Sequence, residues 1–522
     1  MSKAWGLGRP SEDPGASSTS LRQPRSAVIR LFQSCRRPIG VAPAAVLILT
    51  FSLCGNPASA APPQILIPTE EQVEQGEEAP GTEPLGFLSG ISRSNFLLGN
   101  MSGLRPFLSQ YGMSFALQET SEVLGNVTGG SRQGFEYDGL TQMALALDTQ
   151  RAFGWYGGTF LASALQIHGR NLSTDNLQTL QTASGIEADR ATRLWELWYD
   201  QKFLEENRLD VKIGQQSLDQ EFIVSQNAGF LINTMFGWPL VPSADLPGGG
   251  PAYPLSALGV RVRARPIDPV TFLVGAYSGS PAPKGTGDPQ VLNPSGLSFP
   301  LNQGVLVFAE MQYQYPSLGS MLYADQAEPL ARTYKLGYWY DSENFDDLLH
   351  DEANLSLADP TSSGIPRTHR GEFGVYAVAD QLVWVDPTET DRTINLFFRA
   401  LGAPQSDRSL ITFSLNAGLT FHEPFLHRDD DTFAVGMGYA KVSSSAAQLD
   451  QDTAFFTGTP FPVRGGETFI EATYQYQATP WWQLQPDMQF VFNPGGGVLN
   501  QNGNGQRLRN EFVLGIRTNI FF

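Results

Sequence analysis

The chain carries almost no cysteine. Its two, Cys35 and Cys54, both fall in the amino-terminal leader, so the mature protein has none. Disulfides and thiolate metal sites are excluded there. A cysteine-free secreted chain suits a protein that crosses an oxidising compartment unfolded. Long apolar runs are also missing. Hydrophobic residues make up 41% of the chain. Yet no stretch after the leader is long enough for a membrane helix, which argues against a helical transporter. Basic charge is scarce too. The leader takes seven of the 34 Lys/Arg and two of the 52 Asp/Glu, leaving 27 basic and 50 acidic residues, net −23. That balance argues against nucleic acid as a partner. It favours cations in any pore, although the charge of the narrowest section counts for more. No Gly-x-Ser-x-Gly elbow is present, which removes one hydrolase reading.

What is present points to many short strands and turns: 53 Gly, 36 Pro and 33 Phe. Residues 1–60 read as a signal peptide. Arg30, Arg36 and Arg37 flank the apolar core Val41–Leu53, and Ala58-Ser59-Ala60 is a small-x-small cleavage site before Ala61. Residues 61–111 read as an acidic, Pro-rich flexible lead, with Glu70, Glu71, Glu74, Glu77 and Glu78 close together, then a short helix or plug. Residues 112–522 read as one membrane barrel.

The last strand carries the barrel reading. Phe512, Leu514, Ile516, Ile520 and Phe522 share one face, interrupted by Thr518, while Glu511, Gly515, Arg517 and Asn519 share the other. Such alternation is what a lipid-facing barrel strand shows. It recurs in sixteen candidate strands: 114–124, 137–149, 157–170, 193–204, 208–216, 257–266, 270–278, 304–315, 332–341, 371–385, 393–400, 410–420, 432–442, 468–477, 482–492 and 511–522. Connections after odd-numbered strands are mostly long, and those after even-numbered strands mostly short; 316–331 breaks the pattern. Short periplasmic turns and long outer loops give an outer-membrane barrel its two sides. Tyr338, Tyr340, Trp481 and Trp482 sit near strand ends, where an aromatic girdle belongs.

Several stretches go beyond generic barrel patterning. Leu104-Arg105-Pro106-Phe107-Leu108, Gln166-Ile167-His168-Gly169-Arg170 and Arg193-Leu194-Trp195-Glu196-Leu197-Trp198-Tyr199 are followed by Phe236-Gly237-Trp238-Pro239. Then come Asp245-Leu246-Pro247-Gly248-Gly249-Gly250-Pro251-Ala252-Tyr253-Pro254, Tyr376-Ala377-Val378-Ala379-Asp380-Gln381 and Phe492-Asn493-Pro494-Gly495-Gly496-Gly497. From about residue 100 to the end, the chain closely resembles the carbohydrate-selective outer-membrane porins of the OprB type. The resemblance implies a sixteen-stranded barrel that lets mono- and small oligosaccharides diffuse passively, as a monomer or homotrimer. It also implies outer-membrane lipid around the wall and barrel-assembly machinery engaging Phe522. A general ion and solute porin, or a structural or adhesive barrel with a closed lumen, are the alternatives.

A sugar pore needs polar side chains for hydroxyls and an aromatic surface for the apolar ring face. Glu122, His168, Arg170, Glu196 and Trp198 are the candidates from the wall. Each charged residue shares a face with polar neighbours, while Val123, Ile167 and Leu197 are expected to point to lipid. The segment 217–256 is rich in apolar residues for an outer loop and is expected to fold inward and narrow the pore, with Phe236, Trp238 and Tyr253 either on the pore surface or packed as anchors. His168 is the single histidine within a candidate strand, which leaves little for a Ser/His enzyme on the outer wall. His422 and His427 beside Asp429, Asp430 and Asp431 read as a solvated charged turn, so no metal and no cofactor is expected. Gly436-x-Gly438, inside a strand, reads as room for packing rather than a nucleotide loop.

Overall fold

The computed structural model describes Ile65, Ile67 and residues 95–316, 331–389, 391–425, 428–500, 502 and 505–522. The leader, His427 and most of 316–331 lie outside the described residues. Sixteen strands close into one antiparallel barrel, each paired with its sequence neighbours and β1 paired with β16. They are β1 (Met113–Thr128), β2 (Gly134–Asp148), β3 (Gly158–Gly169), β4 (Ala191–Phe203), β5 (Leu209–Gln216), β6 (Ala257–Ile267), β7 (Val270–Ser278) and β8 (Val305–Tyr315). The second half comprises β9 (Arg332–Asp351), β10 (Pro366–Val385), β11 (Thr393–Gly402), β12 (Ile411–His422), β13 (Thr432–Val442), β14 (Gly466–Thr479), β15 (Trp482–Phe492) and β16 (Glu511–Phe521). A short helix, Leu104–Gln110, precedes β1.

Alternation sets the wall. In β6, Val260 and Val262 are exposed outward while Arg261 is 2% exposed. In β14, Ile470 and Tyr476 face out while Glu471, Thr473 and Gln475 are buried inside. A lipid-facing midplane Arg would cost about 2–4 kcal/mol, so the charged set turns inward. On the outside, Trp481 and Trp482 stack at 6.2 Å.

β9 and β10 run well past their expected outer ends. Residues 342–351 and 366–370, read from the sequence as loop, pair as the continuation of β9 and β10. Their Asp, His and Arg residues look like a solvated loop because this part extends past the pairing with β8 and β11. Asp347 there accepts from Arg367 at 2.9 Å and His369 at 2.8 Å. So His168 is not alone: His350, His369 and His422 also lie in strands.

The interior is not an open tube. Residues 217–256 fold inside and form a hydrophobic core with the inner wall. Phe222, Ile223, Leu231, Met235, Phe236 and Trp238 pack with Leu306, Phe308, Trp339, Tyr376, Phe397 and Phe469. Wall side chains grip the loop backbone. Glu310 accepts from the Ile223 amide at 2.9 Å, and Asp380 from the Ser225 hydroxyl at 2.6 Å. Glu471 accepts from the Asn233 amide at 2.9 Å. Lys335 donates to the Val224 carbonyl at 2.7 Å, and Arg399 to the Met235 carbonyl at 2.6 Å. Charge-assisted bonds of this kind are among the stronger ones. The connection 170–190 also enters, with Glu467 accepting from the Leu180 and Gln181 amides at 2.8 Å each.

Candidate functional site

The inner faces of β4, β5 and β6 bring the chemistry together. Trp198 lies on the inner face of β4, and the Lys212 ammonium from β5 sits 4.2 Å over its ring. Lys212 pairs with Glu221 from the inward loop. Arg261 from β6 reaches Glu221 at 3.2 Å, pairs with Asp210, and stands 3.8 Å from Asp200. Arg263 donates to Asp210 at 2.5 Å and remains 43% exposed. Glu196 is buried nearby and accepts from the Ser217 amide at 3.2 Å. The result is an aromatic ring flanked by both signs of charge. Such a wall can hydrogen-bond neutral hydroxyls without acting as a one-sign ion filter.

The other sequence candidates go to different places. Glu122 faces inward on β1 and pairs across the closing seam with Arg517 of β16, both side chains almost fully buried. Arg517 also donates to the Ser184 hydroxyl at 3.3 Å. Arg170 is exposed beyond the last residue of β3.

His168 does not face the interior. Leu165 and Ile167 are buried against Ile186 and Ala188 of the inward connection, with Tyr253 beside them. The apolar face of β3 therefore points in, because its partner there is protein rather than water. His168 turns outward with Gln166. Its Nδ1 lies 3.0 Å from Gln166 Oε1 and its Nε2 3.1 Å from the Tyr137 hydroxyl. Glu119 and Thr141 complete this outer polar cluster. Val123 and Leu197 do point outward, at 42% and 49% exposure.

Phe236 and Trp238 serve as anchors. Phe236 is 1% exposed, between Phe397 at 5.6 Å and Phe469 at 5.3 Å. Gly436 makes room for it, since a Cβ there would stand 2.5 Å from the Phe236 ring. Trp238 donates to the Gly249 carbonyl at 2.9 Å. Tyr253 is half-buried, edge-on to Trp195 at 6.3 Å, and donates to the Ile186 carbonyl at 2.8 Å. Sequence reasoning missed Lys212, Glu221 and Arg517. Arg261, Arg263 and Arg265 alternate with Val260, Val262 and Ala264 in the sequence, a period-two pattern that marks the neighbouring strand as charged inside. The long-range pairing that places Glu221 beneath it left no local signal.

The model of one protein family, described as carbohydrate-selective porin, OprB family, matches residues 132–522. The chain belongs to that family. Porin B of Pseudomonas aeruginosa is 24% identical over 457 residues, covering 82% of this chain and 92% of that protein. The high-pH structure of Pseudomonas putida OprB superposes with a TM-score of 0.69 at 22% identity, covering 82% of this chain and 99% of the other. The porin is an outer-membrane β-barrel through which sugars diffuse passively and preferentially.

Proposed function

We propose that mono- and small oligosaccharides cross this porin by stacking on Trp198 while Lys212, Glu221 and Arg263 exchange hydrogen bonds with their hydroxyls and the buried Glu196 and Arg261 hold those groups in place. The observation that supports this reading is the aromatic ring set between charges of both signs, where Lys212 and Glu196 of the wall meet Glu221 and Ser217 of the inward segment. An apolar ring face against indole excludes water, and the charged groups hold the hydroxyls in register with the surface. Phe236 and Trp238 act by holding the loop, Tyr253 by tying the two inward connections together, and Glu122 by fixing the seam. The channel is passive and carries no reaction step. Its substrate path needs neither metal nor cofactor.

Sugar block of ion current through single channels tests the reading. Trp198→Ala should weaken block by about two- to twelve-fold, matching the roughly 0.5–1.5 kcal/mol of an aromatic contact. Trp198→Phe should keep most of it. Block unchanged in Trp198→Ala would move the binding surface elsewhere. Liposome swelling on sugars and similarly sized amino acids separates the classes: equal rates mean a general porin, and no swelling means a structural barrel.

A further inference from the structure

One stretch of the inner wall has the wrong chemistry for a water-filled passage. Ala116 of β1 pairs with Ala144 of β2, Ala146 pairs with Leu161 of β3, and Leu161 pairs with Trp198 of β4. Ala116, Ala144 and Leu161 are 1%, 1% and 7% exposed. They form a contiguous apolar shelf beside the Trp198 ring. The two inward connections make their apolar clusters elsewhere, against β6–β15, against Leu124 of β1 and Val513 of β16, and against Leu140, Leu165, Ile167 and Trp195 of β2–β4. The shelf is covered by two residues of the lead. Ile65 and Ile67 pack on Ala116, Ala144 and Leu161, with Ala146 and Trp198 at the margin.

The sequence suits that position. Ile65 and Ile67 are two residues apart, which puts both on one face of an extended segment. Pro62, Pro63 and Pro68 bracket them and oppose a helix. The apolar run Ile65-Leu66-Ile67, five to seven residues after the expected cleavage at Ala60, stands out in a stretch that is otherwise acidic and Pro-rich. Small alanines leave a shallow seat, and two isoleucines fill it.

We propose that Ile65 and Ile67 act as a strap seated in the lumen. Ile65 and Ile67 occupy the shelf beside Trp198, narrow the passage from the periplasmic half, and compete with solute for the aromatic surface. The competition part rests on the sugar reading of Trp198. The seating itself does not.

The test uses the full mature porin and two readouts that need no sugar. Because the mature chain has no cysteine, Ala144→Cys introduces a single reporter thiol. With the native lead it should resist a bulky maleimide. In Ile65→Asp/Ile67→Asp it should react, and single-channel conductance in potassium chloride should rise by about two-fold or more as the cross-section opens. Ala116→Cys is the second reporter if the first disturbs assembly, and deletion of residues 61–68 is the second way to empty the shelf. Equal labelling and equal conductance with and without the two isoleucines would overturn the strap. If both readouts move but sugar block in Trp198→Ala does not, the strap stands and the sugar surface falls.

Discussion

Phe236→Ala should give a porin whose barrel still closes but whose pore is wider, noisier and less sugar-selective. The ring fills a seat between Phe397, Phe469 and the Gly436 backbone. Emptying such a site costs about 3–5 kcal/mol. The cost falls on the loop, because the wall keeps its own strand-to-strand hydrogen bonds. Conductance and current noise should therefore rise while the heat-modifiable band on gels persists. Gly436→Ala reaches the same end from the opposite side, since its added methyl meets the Phe236 ring. Overpacking of this kind costs about 1–3 kcal/mol, so its effect should be the smaller of the two. Native conductance in both variants would show that the loop does not depend on this seat.

The second large effect belongs to the seam. Glu122→Ala should lower the temperature at which the folded barrel converts to the unfolded band. Arg517 would be left with its charge buried beside Ser184, and breaking a buried pair from one side costs about 3–5 kcal/mol. Glu122→Met/Arg517→Met should recover much of the loss, because a buried pair can often be replaced by apolar residues at little cost. The single variant and the parent converting at one temperature would mean that water reaches Arg517 and supplies what Glu122 does.

The outer half of the barrel was the legible half. Lipid is a uniform partner, so every outward residue obeys one rule, and Ile516, Ile470 and Val260 could be placed from their spacing. The inner half has two kinds of partner. Where water faces the wall, as at Arg263, polarity predicts the face. Where a folded-in loop faces it, the rule inverts. Ile167 points inward because Ile186 and Ala188 wait there, and His168 is turned out in consequence. For the same reason Phe308, Trp339 and Phe397 are inward and buried, although nothing in their own strands marks them as lumen residues. Trp198 and Glu196 were found because their strand carries Asp200 on the same face. Lys212 and Glu221 meet there only through contacts the linear chain does not advertise.

The apolar core within the barrel also bears on the order in which the molecule is assembled. Residues 217–256 lie between β5 and β6 in the chain, yet their packing partners lie mostly in β7–β15. A loop could not be threaded into a finished tube of this kind without breaking the grips of Glu310, Asp380, Arg399 and Glu471. Those strands must instead be laid around it, each adding a grip as it pairs. The girth is set by the sixteen strands and their stagger; what the loop adds is an order of events, since it must be inside before β16 meets β1.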